Sequence, residues 1–161
     1  MQYVHDIKRS FEGILQKASK SILLLGPRQV GKSTLLSKMK VDLSIDLADE
    51  ATYLDFSSNP SLIKERLAET QAKTIVIDEV QRLPSLLNTI QFLVDKDKSL
   101  KFFLSGSSAR KLKRGKANLL PGRVFNYELG PLAASELGYK LDVKRALKFE
   151  TLPEPYLNAN D

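Results

Sequence analysis

The feature that most constrains the fold is an apolar run cut off by a glycine and followed by a helical pattern. Residues 21–25 (SILLL) read as a short, fully buried strand, because five apolar or small residues run together and stop abruptly at Gly26. Gly31 then leads into residues 32–40, where Leu35, Leu36 and Met39 make a helical apolar stripe. Between them lies GPRQVGKS, a glycine, four residues, a second glycine, a lysine and a hydroxyl residue. In this strand–loop–helix setting the motif has a physical meaning. Glycines permit backbone conformations that a Cβ would obstruct, so successive N–H groups can converge on phosphate oxygens at a helix start.

The spacing is that of a Walker A loop. Gly26, Pro27, Arg28, Gln29, Val30, Gly31, Lys32, Ser33 and Thr34 are the expected nucleotide-binding residues. Lys32 supplies an ammonium to the terminal phosphates, and the Ser33 hydroxyl coordinates magnesium. Thr34 lies just beyond the motif, and the Arg28 side chain points either to the ligand or to solvent.

A second strand, TIVI at residues 74–77, ends in Asp78 and Glu79. Asp78 is expected near the same magnesium ion, and Glu79 is placed to orient or deprotonate an attacking water. Residues 100–104 form another strand and run into a hydroxyl cluster in which Ser105 or Ser107 would sense the terminal phosphate; SGSS is also ordinary turn chemistry. Arg123 precedes a strand at 124–129 and is a candidate for transition-state charge, within the chain or in a neighbouring subunit.

The remaining segments fill in the layers. Apolar residues from Ile7 to Ala18 recur at helical spacing, residues 41–47 read as an exposed strand or a loop, and residues 51–56 read as a strand. Ser61 is a candidate cap for a helix containing Leu62, Ile63 and Leu67, and Pro84 or Ser85 opens a helix with Leu86, Leu87, Ile90 and Val94 on one face. Strands alternating with helices predict an α/β architecture with a mainly parallel sheet and flanking helices. Residues 131–141 and 143–149 suggest two short helices, whereas 151–161 carry two prolines and little periodicity, as in a loose tail.

Composition excludes several chemistries. With 161 residues, 42% hydrophobic and 27% charged, the chain has the size and balance of one globular domain. It has no cysteine and a single histidine, His5, which rules out thiolate sites and imidazole clusters. No run approaches the roughly 18 apolar residues of a membrane span, and no signal-peptide pattern opens the sequence, so a cytoplasmic setting is expected. The net charge of +6 suits an anionic partner or plain solubility. Arg110, Lys111, Lys113, Arg114 and Lys116 form the densest basic run, without the interleaved aromatics that stack nucleic-acid bases.

Taken together, GPRQVGKSTLL, TIVIDEVQRLPSLL, KFFLSGSSARKL and PGRVFNYELGPLAASE resemble a bacterial and archaeal group of AAA-type P-loop ATPases, over most of residues 21–136. The resemblance implies a three-layer P-loop NTPase fold with the strand of residues 100–104 lying between the loop strand and the acidic strand. It implies ATP and Mg²⁺ as cofactors, Lys32, Glu79, Ser105 and Arg123 as catalytic residues, and Ser33 and Asp78 as metal ligands. Longer members add a C-terminal domain of poorly defined function, so residues 1–141 read as the ATPase domain and 142–161 as an incomplete extension or tail. A homo-oligomer or protein partner is expected alongside the nucleotide. A scaffold or DNA-associated switch without catalysis is the alternative. Phosphotransfer to a metabolite lacks an evident acceptor pocket, and Asp95, Lys96 and Asp97 lack the spacing of a guanine-reading segment.

Overall fold

The computed structural model describes residues 7–107, 112 and 120–158. His5 and the basic residues Arg110, Lys111, Lys113, Arg114 and Lys116 lie outside that set. In chain order the elements are α1 (Glu12–Gln16), β1 (Ser21–Leu25), α2 (Lys32–Ser37), β2 (Leu43–Asp46), α3 (Glu50–Ser58), α4 (Leu62–Thr70), β3 (Thr74–Asp78), a 3₁₀ turn (Val80–Arg82), α5 (Leu86–Lys96), β4 (Lys101–Gly106), β5 (Val124–Glu128), α6 (Val143–Phe149) and α7 (Pro153–Asn158). The sheet order is β2-β3-β4-β1-β5, and every neighbouring pair is parallel. β4 therefore separates β1 from β3, the order that the family resemblance implies.

The side-chain alternation of each strand divides the core into two layers. Leu23, Ile75, Ile77, Phe102 and Leu104 pack on one face with Phe56 of α3, Ile63 of α4 and Leu86, Leu87 and Ile90 of α5. Ile22, Leu24, Val76 and Phe103 face the other way, against Leu15 of α1 and Leu35 and Leu36 of α2. This is a three-layer α/β P-loop NTPase architecture, in which parallel strands buried on both sides read as continuous apolar runs. Each fully buried Leu, Ile or Phe contributes about 1.5–3 kcal/mol relative to exposure, so the two layers, rather than the short helices themselves, carry the stability.

Residues 51–56 are helical, not a strand. The apolar and aromatic content of the segment imitates β-propensity, but Asp49 overrides it: its carboxylate accepts from the Thr52 N–H at 2.8 Å, capping α3, and only Phe56 is buried. Replacing Asp49 with Ala is expected to cost about 1 kcal/mol, measurable by urea denaturation. At the next helix, the Ser61 hydroxyl makes no capping bond; instead Asn59 Oδ1 accepts from the Ser61 N–H at 3.1 Å.

Residues 43–46 form an edge strand whose register is fixed from outside, because the Asp42 carboxylate accepts from the N–H groups of Lys73 and Thr74 at 2.9 and 2.8 Å. Residues 134–139 form successive turns instead of a helix. Beyond them, α7 is regular despite Pro153 and Pro155: both prolines fall in the first turn, where an N–H has no helical partner to lose. Tyr156 of α7 is buried with Ile7 and Leu132.

Candidate functional site

The loop that leaves β1 and the carboxyl ends of β2 and β3 converge on one cleft of about 780 Å³. Gly31, Lys32, Ser33, Asp78 and Glu79 all line it, with Arg28, Gln29 and Thr34 at its loop side. In a parallel sheet this edge is where ligands dock, because loops rather than strand backbone face outward there.

The loop is held by close backbone contacts. A Cβ built on Gly26 would lie 2.1 Å from the Leu129 carbonyl oxygen, so only glycine fits where the loop leaves β1. Gly31 sits at φ +89°, in the left-handed region that favours glycine. Val30 is fully buried between them and anchors the loop into the core.

Lys32 is 5% exposed, and its Nζ donates to the carbonyls of Gly26 at 2.9 Å and Pro27 at 2.6 Å. An ammonium has three donors, so these bonds leave one for an anionic oxygen. Burial pushes the Lys32 pKa down; the Glu79 and Asp78 carboxylates oppose that fall, and Arg28 adds to it. The ammonium thus sits between a desolvated wall and two acids, and a polyanion brought into the cleft would favour its charged form.

The acidic strand end is equally constrained. Asp78 Oδ1 accepts from both the Ser105 hydroxyl and the Glu79 N–H, the latter at 2.9 Å, and Ser105 Oγ also accepts from the Glu79 N–H at 3.2 Å. Ser105 is completely buried. It therefore touches the two acids directly and orients them. Glu79 adopts a left-handed backbone with φ 57°, a conformation costing of order 1–3 kcal/mol for a residue with a Cβ. The hydrogen bonds on its N–H hold it there. Ser107 lies one step further on: its N–H donates to Gln81 Oε1 at 3.0 Å, and its buried hydroxyl has no hydrogen-bond partner among the described residues.

Arg123 stands apart from this cleft. It precedes Val124, which pairs with Ser21 at the start of β1, whereas the loop leaves the other end of that strand. Five residues of strand separate the two edges by roughly 16 Å. Its guanidinium engages the Asp95 carboxylate, at 3.0 Å from Nε and 2.9 Å from Nη2. Both observations place Arg123 toward the end of the sheet away from the same chain's cleft.

Gln81 and Arg9 escape sequence reasoning. Gln81 donates to Glu79 Oε2 while accepting from the Ser107 N–H, so it braces the acid against the end of β4. Its position two residues after Glu79 is the signal that could have found it. Next to it, Arg82 reaches the carbonyls of Leu47 and Ala48 at 2.9 and 2.8 Å and stacks on Tyr53. Arg9, 7% exposed, donates to the Val30 carbonyl at 2.6 Å and forms an ion pair with Glu136 at 3.1 Å. Nothing in a single sequence marks that pair, whose members are 127 positions apart.

Comparison with known proteins agrees with this fold. An uncharacterized protein of Mycobacterium bovis and another of Mycobacterium tuberculosis are each 33% identical over 123 residues, covering 73% of this chain. The chain spans 26% of the length of each. Among solved structures, a DNA replication initiation factor shares the fold with a TM-score of 0.52 at 13% identity, over 92% of this chain and 55% of that one. A family profile described as AAA domain matches residues 18–138, and the chain belongs to that family of P-loop NTPases.

Proposed function

We propose that the chain binds MgATP in the 780 Å³ cleft and hydrolyses it slowly or when stimulated by a partner. The observation that carries this reading is the meeting of Gly31, Lys32, Ser33, Asp78 and Glu79 around one cavity at the carboxyl edge of the parallel sheet. Loop N–H groups and Lys32 hold the β- and γ-phosphates. Ser33 and Asp78 supply hard oxygen donors on the same cleft, and magnesium, which keeps several waters, needs few protein ligands. Among the described residues no group of three His, Cys, Asp or Glu side chains competes as a metal cage. When bound, the ion would neutralise charge on the phosphate oxygens.

Glu79 orients a water toward the γ-phosphorus and takes its proton as the new P–O bond forms and the bond to the β–γ bridging oxygen breaks, releasing ADP and phosphate. Ser105 sets the directions of Asp78 and Glu79, and Lys32 with the loop amides stabilises the departing charge. Arg123, remote from its own cleft, is assigned to a neighbouring copy's nucleotide. Residues 1–141 act as the AAA-type ATPase unit and 142–161 as its extension. Adenine over guanine rests on the family.

A switch without turnover is the second reading, favoured by the bond from Gln81 to Glu79, which occupies one oxygen of the acid. Phosphate release with MgATP, with chelated ATP and with added DNA separates the two. Magnesium-dependent release supports hydrolysis; tight binding with only background release under every condition supports the switch.

A further inference from the structure

Among the described residues, the Arg9–Glu136 pair is the most heavily bonded buried charge outside the cleft. Arg9 Nη1 donates to the Val30 carbonyl at 2.6 Å, Nη2 to the Gly130 carbonyl at 2.9 Å, and Nε to Glu136 Oε1 at 3.1 Å. Glu136 is in turn fixed on both oxygens: Oε1 accepts from the Ser10 N–H at 2.8 Å and Oε2 from the Ala133 N–H at 3.0 Å. One guanidinium thus joins the chain before α1, the end of the 26–33 loop and the turn after β5.

The carbonyl it grips belongs to the peptide that links Val30 to Gly31. No peptide in the described structure is cis, and in a planar trans peptide the C=O and N–H point in opposite directions. Fixing Val30 O from behind therefore fixes the direction of the Gly31 N–H, and Gly31 lines the cleft. The loop's other end is braced on the same wall, because Gly26 lies against the Leu129 carbonyl. Segment 129–136 thus braces both ends of the loop, directly at Gly26 and through Arg9 at Val30.

We infer that Arg9, held by Glu136, is a positioning residue that sets the Val30–Gly31 peptide so that the Gly31 N–H meets a phosphate oxygen, linking polyphosphate affinity to the docking of residues 130–136. This rests on the proposed phosphate role of the cleft. A charged hydrogen bond to a backbone group is strong enough that its loss loosens the peptide, and the neutralising Glu136 makes the contribution one of orientation more than of charge.

The test is calorimetric titration of the full chain with MgATP, with magnesium tripolyphosphate and with adenosine, accompanied by thermal melts. The proteins compared are wild type, Arg9→Met, Arg9→Lys, Glu136→Gln and Lys32→Ala. Arg9→Met is expected to weaken MgATP and tripolyphosphate alike, by about tenfold. Arg9→Lys, which keeps a donor for Val30 O without the fork, should recover part of that loss, and Glu136→Gln should lie between. If Arg9→Met does not fold, the two milder variants carry the same comparison. Folded variants with lower melting temperatures and unchanged affinities would overturn the inference, as would weakened MgATP with unchanged tripolyphosphate, which would move Arg9 to the base. Failure of wild type to bind tripolyphosphate, or unchanged binding by Lys32→Ala, would instead sink the phosphate reading and take the inference with it.

Discussion

Glu79→Gln is expected to bind MgATP about as tightly as wild type while releasing phosphate roughly 10²–10⁴-fold more slowly, the usual contribution of a positioned general base. The substitution keeps the shape of the side chain, and an amide oxygen can still accept the bond that Gln81 donates to Glu79 Oε2. It also leaves the Glu79 N–H on Asp78 and Ser105. Only the basicity of the carboxylate is removed. A coupled phosphate-release assay beside a binding titration reads both quantities; equal release by the two proteins would remove Glu79 from the chemistry while leaving the binding site intact.

Gly26→Ala is expected to damage both stability and binding. Its Cβ would stand 2.1 Å from a backbone oxygen of Leu129, and no side-chain rotation relieves a clash with a main-chain carbonyl. Either the loop or the end of β5 must move, at a cost of about 1–3 kcal/mol typical of overpacking. Because Lys32 donates to the Gly26 carbonyl, the displacement would also shift the ammonium, and nucleotide affinity should fall at least about tenfold. Gly13→Ala is the control. Gly13 lies in α1 with nothing within 4 Å of its added Cβ, so that change should be neutral or stabilising by about 1 kcal/mol, as expected for Gly to Ala in a helix. Denaturant melts and titrations of both variants distinguish a specific clash from a general intolerance of alanine.

The buried carboxylate of Glu136 gives a pH signature. Desolvation raises its pKa, but bonds from the Ala133 and Ser10 N–H groups and from Arg9 outweigh it, leaving the value below the usual glutamate range. A depressed carboxylate stabilises the fold above its unfolded pKa and loses that contribution as pH falls through the folded value. Wild type should therefore lose more melting temperature on acidification below about pH 4.3, the ordinary glutamate pKa, than Glu136→Gln does. Parallel pH series of the two proteins would show the difference, and identical slopes would contradict it.

What sequence reveals here follows the range of the interactions. The 26–33 loop, the strand of 74–77 and the helix holding Leu86, Leu87 and Ile90 are legible because their signals are local and periodic. Asp78 and Glu79 follow from where a buried strand ends. Residues 51–56 mislead because Tyr53 and Phe56 resemble strand chemistry, while the deciding Asp49 cap lies outside the apolar run. The order β3-β4-β1 came from family resemblance, since short strands do not reveal their neighbours. Arg9 was invisible for the same reason in stronger form: its partners Val30, Gly130 and Glu136 are 21, 121 and 127 residues away. Arg123 illustrates the converse: its motif position leaves a role within the chain or in a neighbouring subunit open, and the parallel sheet carries it to the end away from its own cleft.

The central claim is that residues 26–33 hold a nucleotide's phosphates through Lys32. The most direct measurement is titration of wild type and Lys32→Ala with ATP, each with magnesium and with chelator. Saturable, magnesium-strengthened binding by wild type that is lost in a folded Lys32→Ala protein is the predicted result. Binding of equal strength in both proteins would contradict it.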